Sequence, residues 1–89
     1  MYIVSVVTAF VLINSELGSD ASIIKEVKQM LDSENSLKYE IQGVYGIYDI
    51  VIKITADKSQ TVRAIITNQI RKISRVQSTL TMMVIEEQD

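Results

Sequence analysis

The run from Tyr2 to Asn14 constrains the fold more than any other stretch of the chain. One parity reads Ile3, Ser5, Val7, Ala9, Val11, Ile13 and the other Val4, Val6, Thr8, Phe10, Leu12, so both faces of an extended chain are apolar. A strand of that kind belongs in the middle of a sheet with something covering each side. The run is too short for the ~20 residues of a membrane helix, and its Val and Ile content favours a strand. It has neither a basic leader nor a small-residue cleavage site, so a soluble, cytoplasmic protein without a membrane partner is expected.

The rest of the chain alternates between one-sided helices and strands. Gly18-Ser19-Asp20 breaks the first strand, with Ser19 or Asp20 as N-cap of a helix to about Asp32. Ile23, Ile24, Val27, Met30 and Leu31 share one face of it. Leu37–Tyr45 alternates Leu37, Tyr39 and Ile41 against Lys38, Glu40 and Gln42, the pattern of a half-exposed strand. In Asp49–Thr55, Ile50, Ile52 and Ile54 share one face. Asp57 and Gln60 have capping-box spacing before a second helix with Val62, Ile65, Ile66, Ile70 and Ile73 on one side. The last strand, Val76–Glu86, places Val76, Ser78, Leu80, Met82 and Val84 opposite Gln77, Thr79, Thr81, Met83 and Ile85. The acidic tail Glu86–Asp89 is expected to fray.

The order β-α-β-β-α-β predicts an α+β, ferredoxin-like fold: a four-stranded antiparallel sheet with both helices on one face. In that topology the first strand separates the third from the fourth. With the more apolar side of each strand against the helices, the open face is expected to carry Val51, Thr79, Thr81, Met83 and Ile85. A chain of 89 residues buries only roughly 60–65% of its unfolded surface, yet 47% of its residues are apolar. A homodimer formed through the open sheet face is the simplest cover.

Composition narrows the chemistry. There is no Cys, His, Trp or Pro, which removes disulfides, thiolate nucleophiles and the usual general base near neutral pH. No cofactor motif, metal-ligand spacing or Ser/His/Asp arrangement is present, so no cofactor and no enzymatic activity are expected. A net charge of −2 gives no general attraction to nucleic acid. The basic cluster Arg71, Lys72 and Arg75 falls where the second helix should end, a position its dipole favours; an anion-binding role is the other reading.

The chemistry-bearing stretch is Val44-Tyr45-Gly46-Ile47-Tyr48-Asp49, between two strands. It is not a phosphate loop, because a strand rather than a helix follows. A zwitterion needs a carboxylate for its ammonium and N–H or hydroxyl donors for its carboxylate. Asp49, the backbone at Gly46, and Ser78, Thr79 and Thr81 of the last strand offer those groups. Each also has a plainer reading. Gly46 suits a turn with positive φ, Asp49 a hairpin-end acid facing solvent, Tyr45 and Tyr48 a subunit boundary, and the threonines a strand.

The hairpin stretch resembles the Gly-x-Tyr-Asp motif in the C-terminal ligand-binding (RAM) domain of the Lrp/AsnC family of transcriptional regulators. Arg75-Val76-Gln77-Ser78-Thr79-Leu80-Thr81 is similar to that family's final strand. The resemblance spans nearly the whole chain. It implies a non-enzymatic effector-binding domain whose homodimers assemble into an octamer or decamer. A free amino acid or similar effector would bind between dimers, against Tyr45, Gly46, Tyr48, Asp49, Ser78, Thr79 and Thr81. Relatives usually carry a helix-turn-helix domain first, whereas this chain starts at the first strand, so a stand-alone form joining a DNA-binding family member is expected. Ile47 stands where relatives are often polar or acidic, which leaves the ligand open. Two alternatives share the architecture: a dimeric α+β barrel enzyme of the monooxygenase type, and an ACT-type regulatory module with side-by-side sheets.

Overall fold

The doubly apolar run becomes an interior strand. In the computed structural model, which describes residues 6–85, the chain runs β1 (Val7–Ser15), α1 (Asp20–Asp32), β2 (Leu37–Gly43), β3 (Ile50–Ala56), α2 (Ser59–Asn68) and β4 (Val76–Met83). The strands form one antiparallel sheet in the order β2-β3-β1-β4, so β1 separates β3 from β4 as expected. The predicted first residues of β1, the final residue of β4 and the acidic tail lie outside the described residues.

One parity of the two central strands meets both helices. Ala9, Val11 and Ile13 of β1 and Ile50, Ile52 and Ile54 of β3 are fully buried with Ile23, Val27 and Leu31 of α1 and Val62, Ile65 and Ile66 of α2. At ~25 cal/mol per Å² of apolar surface removed from water, this layer is the main favourable contribution to folding. Ser19 begins α1 by accepting the Ile23 N–H at 3.0 Å through its carbonyl; its side chain makes no cap. At the other end of α1, Tyr39 of β2 donates its hydroxyl to Asp32 Oδ1 at 2.6 Å. That hydrogen bond, then desolvation, then the Asp32 charge raise the Tyr39 pKa above its ordinary 10.0.

The second helical segment differs from its predicted form. Lys58 occupies the N-cap with no side-chain hydrogen bond, so the Asp57/Gln60 capping box does not form. The α-helix stops at Asn68, and the chain tightens into a 3₁₀ turn over Ile70–Lys72, with Ile73 N–H bonded to Ile70 O at 3.2 Å. Buried Ile70 and Ile73 hold this turn on the core. Arg71 and Lys72 therefore lie in the last turn of the 3₁₀ segment that continues from α2, while α2 itself has no basic residue in its last turn.

The larger correction concerns β4. Asn14 pairs with Ser78, and the next β1 residue, Ser15, pairs with Val76. One step on β1 thus matches two on β4, which makes Gln77 the extra residue of a β-bulge. Strand alternation is interrupted there. Val76 packs on the core as predicted, but after Gln77 the parity is reversed. Thr79, Thr81 and Met83 lie beside buried Ile13, Val11 and Ala9 on the helix side, while Leu80 and Met82 lie beside Leu12 and Phe10 on the open face. The open face consequently presents Phe10, Leu12, Val51, Leu80 and Met82, with Leu80 and Met82 still 44% and 47% exposed.

Candidate functional site

The β2–β3 connection, the turn after β1 and the entry to β4 meet at one end of the sheet. β2 ends at Gly43 rather than Tyr45 because Gly43 is already paired with Ile50. The loop closes by Val44 N–H to Asp49 O at 2.8 Å, and Asp49 N–H reaches Ile13 O at 2.9 Å. Asp49 thus stands just beyond the last β1–β3 pair. Its Oδ2 accepts the backbone N–H of Ser15 at 2.8 Å and the Ser15 hydroxyl at 3.2 Å. It is therefore not a free hairpin-end acid: it ties the hairpin to the end of β1, through hydrogen bonds of the charge-assisted kind.

The loop tip is open. Tyr45 and Ile47 are 107% and 87% exposed, whereas Tyr48 and Asp49 are half-buried. Gly46 has φ +150°, a conformation that side-chain-bearing residues rarely adopt, although a Cβ there would touch nothing. The turn reading of Gly46 accordingly has its geometry.

Three clefts take up most of the predicted site residues. The first, about 420 Å³, lies at this sheet end and is lined by Tyr45, Asp49, Ser15, Glu16, Asp20 and Gln77 among others. The second, about 270 Å³, is lined by Arg71, Val76, Gln77, Ser78 and Thr79. The third, about 420 Å³, runs between α2 and β4 and is lined by Arg63, Ile66, Thr67, Arg71, Thr79, Thr81 and Met83. The bulged Gln77 belongs to the first and second, and Arg71 and Thr79 to the second and third. A further cleft of about 350 Å³, by Val6, Ser36, Lys38 and Thr55, lies at the opposite end of the sheet, away from every predicted residue.

Charge is sorted between these clefts. Among the described residues, the first has three carboxylates, Glu16, Asp20 and Asp49, and no base, and the second and third have Arg63 and Arg71 and no acid. Asp49, Ser78, Thr79 and Thr81 line these clefts together with Ser15, Gln77, Arg63 and Thr67, which the sequence pattern does not single out. Arg63 and Thr67 stand one helical turn apart, a spacing visible in the sequence, but it marks one wall of a cleft only once β4 is known to lie beside it. Ser78 lines the second cleft but not the third: it falls on the open-face parity of β4, where its hydroxyl accepts Asn14 Nδ2–H at 3.2 Å.

Residues 8–88 match the Lrp/AsnC ligand binding domain. The chain belongs to that family. FFRP-DM1 is similar to it in structure, with 35% identity over 89% of this chain and 99% of its own, at a TM-score of 0.69. PHS023, a hypothetical protein from Pyrococcus horikoshii, is 36% identical over 91% of this chain and 92% of its own, also at 0.69. The transcriptional regulator NMB0573 from Neisseria meningitidis, solved as an L-Met complex, shares the fold at 11% identity and a TM-score of 0.67, over 91% of this chain and 51% of its own. No curated protein matches significantly. The protein is thus a ligand-binding domain of a transcription-regulator family. Its fold puts the Lrp/AsnC hairpin and final strand on clefts that share a wall at Gln77. No helix among the described residues is long and apolar enough to cross a membrane.

Proposed function

We propose that this Lrp/AsnC domain is an oligomeric sensor of a small molecule, an amino acid, acting in transcriptional or metabolic regulation by binding rather than by catalysis. The observation that carries the reading is the adjacency at Gln77 of a carboxylate-lined cleft around Asp49 and a hydroxyl-lined groove on β4. An ammonium suits the first and a carboxylate the second. The L-Met complex of NMB0573 supports the amino-acid class. Tyr45, Gly46, Tyr48, Asp49, Ser78, Thr79 and Thr81 are the proposed contacts.

The apolar open face is proposed to pair with that of a second copy, and such dimers to assemble into an octamer or decamer. Exposed Leu17, Tyr45 and Ile47 at the loop end support a further subunit contact beside the ligand cleft. Transmission to DNA would pass through a DNA-binding family member sharing the oligomer. Isothermal titration of the folded protein against the twenty amino acids tests the reading: binding of at least one, weakened by Asp49→Asn, is the expected result. Silence across the set would remove the amino-acid assignment.

A further inference from the structure

The groove between α2 and the edge strand β4 carries more cationic chemistry than the single α-carboxylate of a neutral amino acid uses. Arg63 and Arg71 line it with the hydroxyls of Thr67, Thr79 and Thr81, and among the described residues no carboxylate joins them. Buried Ile66 and half-buried Met83 complete the lining. The chain as a whole is acidic, with 11 Asp and Glu against 9 Lys and Arg. Yet among the described residues neither guanidinium is held by an ion pair or hydrogen bond. Two like charges lining one cleft repel each other, and a bound anion reverses the sign of that interaction.

The bulge at Gln77 creates this arrangement. Without it, Thr79 and Thr81 would face the open side of the sheet, and Arg63 of α2 and Arg71 of the 3₁₀ turn would lie beside Ser78, Leu80 and Met82. With it, two hydroxyls separated by one strand repeat, about 7 Å, line the same groove as two guanidiniums. Arginine binds carboxylate through paired N–H donors, and hydroxyls add donors to the remaining lone pairs. The groove volume of about 420 Å³ is within the ~300–1,000 Å³ range of small-molecule clefts.

We propose that the α2–β4 groove is an anion subsite, formed by Arg63, Arg71, Thr67, Thr79 and Thr81, that selects dicarboxylates, the acidic amino acids among them. The proposal rests on the sensing reading in taking Thr79 and Thr81 as ligand contacts. It is tested by calorimetric titration at constant ionic strength with glutamate, glutamine, glutarate and inorganic phosphate, on the full chain and on its Arg63→Met and Arg71→Met variants.

Glutamate should bind roughly tenfold or more tightly than glutamine, the range of one charge-assisted contact, and either variant should erase that preference without altering the circular dichroism spectrum. Equal binding of glutamate and glutamine overturns the proposal, as does a preference that survives both substitutions. Phosphate binding as tightly as glutarate overturns the dicarboxylate class. The two readings separate cleanly. Neutral amino acids binding with no acidic preference leave the sensor and remove the anion subsite. Arginine-dependent glutarate binding with silence from all twenty amino acids, glutamate included, removes the sensor and strikes the acidic amino acids from the proposed class, leaving a groove for dicarboxylates that carry no ammonium.

Discussion

If the proposed dimer forms through the open sheet face, replacing Leu80 and Met82 together by lysine should separate its subunits while leaving the fold of each intact. The two side chains lie on the open face beside Leu12 and Phe10, and they retain 44% and 47% exposure. Fully burying a Leu or Met side chain contributes about 1.5–3 kcal/mol, so covering the remaining half of each contributes about 0.7–1.4 kcal/mol. Two residues on each of two subunits give about 3–6 kcal/mol, or roughly two to four orders of magnitude in the dissociation constant. Lysines at both positions would in addition bring like charges together across the interface. Sedimentation velocity over a micromolar concentration series reads the outcome, with circular dichroism as the check on folding. Because neither residue belongs to the buried core, the helical and strand signal should be preserved. A double variant that keeps its oligomeric mass would refute the reasoning. So would dissociation by Thr79→Lys with Thr81→Lys but not by the Leu80/Met82 pair, since that result would put the opposite parity of β4 at the interface.

Asp49→Ala removes the acceptor of the Ser15 N–H and hydroxyl and should lower stability by about 1–3 kcal/mol in urea titration; a change under about 0.5 kcal/mol would deny the carboxylate its structural role. Gly46→Ala places a Cβ on backbone at φ +150° and should destabilise by about 1 kcal/mol or more, with no steric clash to relieve it, and the same titration measures it. Tyr39 donates to Asp32 only while protonated, and its folded pKa is raised. The bond's contribution should therefore be fully present below pH 10 and fade as pH rises through the folded pKa. The difference in urea midpoint between the parent and Tyr39→Phe should shrink as the pH rises above the ordinary 10.0; a constant difference would exclude the linkage.

Much of the site was legible as residue types and little of it as geometry. The Gly46–Asp49 stretch could be read as a hairpin end because a glycine, two tyrosines and an acid interrupt two alternating runs. That Asp49 holds Ser15 could not be read, since the pairing depends on which β1 residue lies beside the start of β3. The basic residues after α2 were visible as a cluster. Their placement in a 3₁₀ turn depends on buried Ile70 and Ile73 pulling the chain onto the core, a tertiary effect that overrides the helical period.

The element order, the central place of β1 and the buried faces of β3 and both helices all follow from the hydrophobic pattern of the chain. In each of these the hydrophobic period is unbroken, and burial of an apolar stripe leaves one orientation favourable. Only the tertiary structure decided the faces of β4. Its two parities are similarly mixed in polarity, so the local pattern had no strong preference, and pairing with β1 set the outcome. A single bulged residue, Gln77, then turned Thr79 and Thr81 toward the arginines and left Leu80 and Met82 on the open sheet. A one-residue change of register moves every following side chain across a sheet. The composition of both the proposed interface and the proposed ligand groove therefore depends on the strand pairing around Gln77.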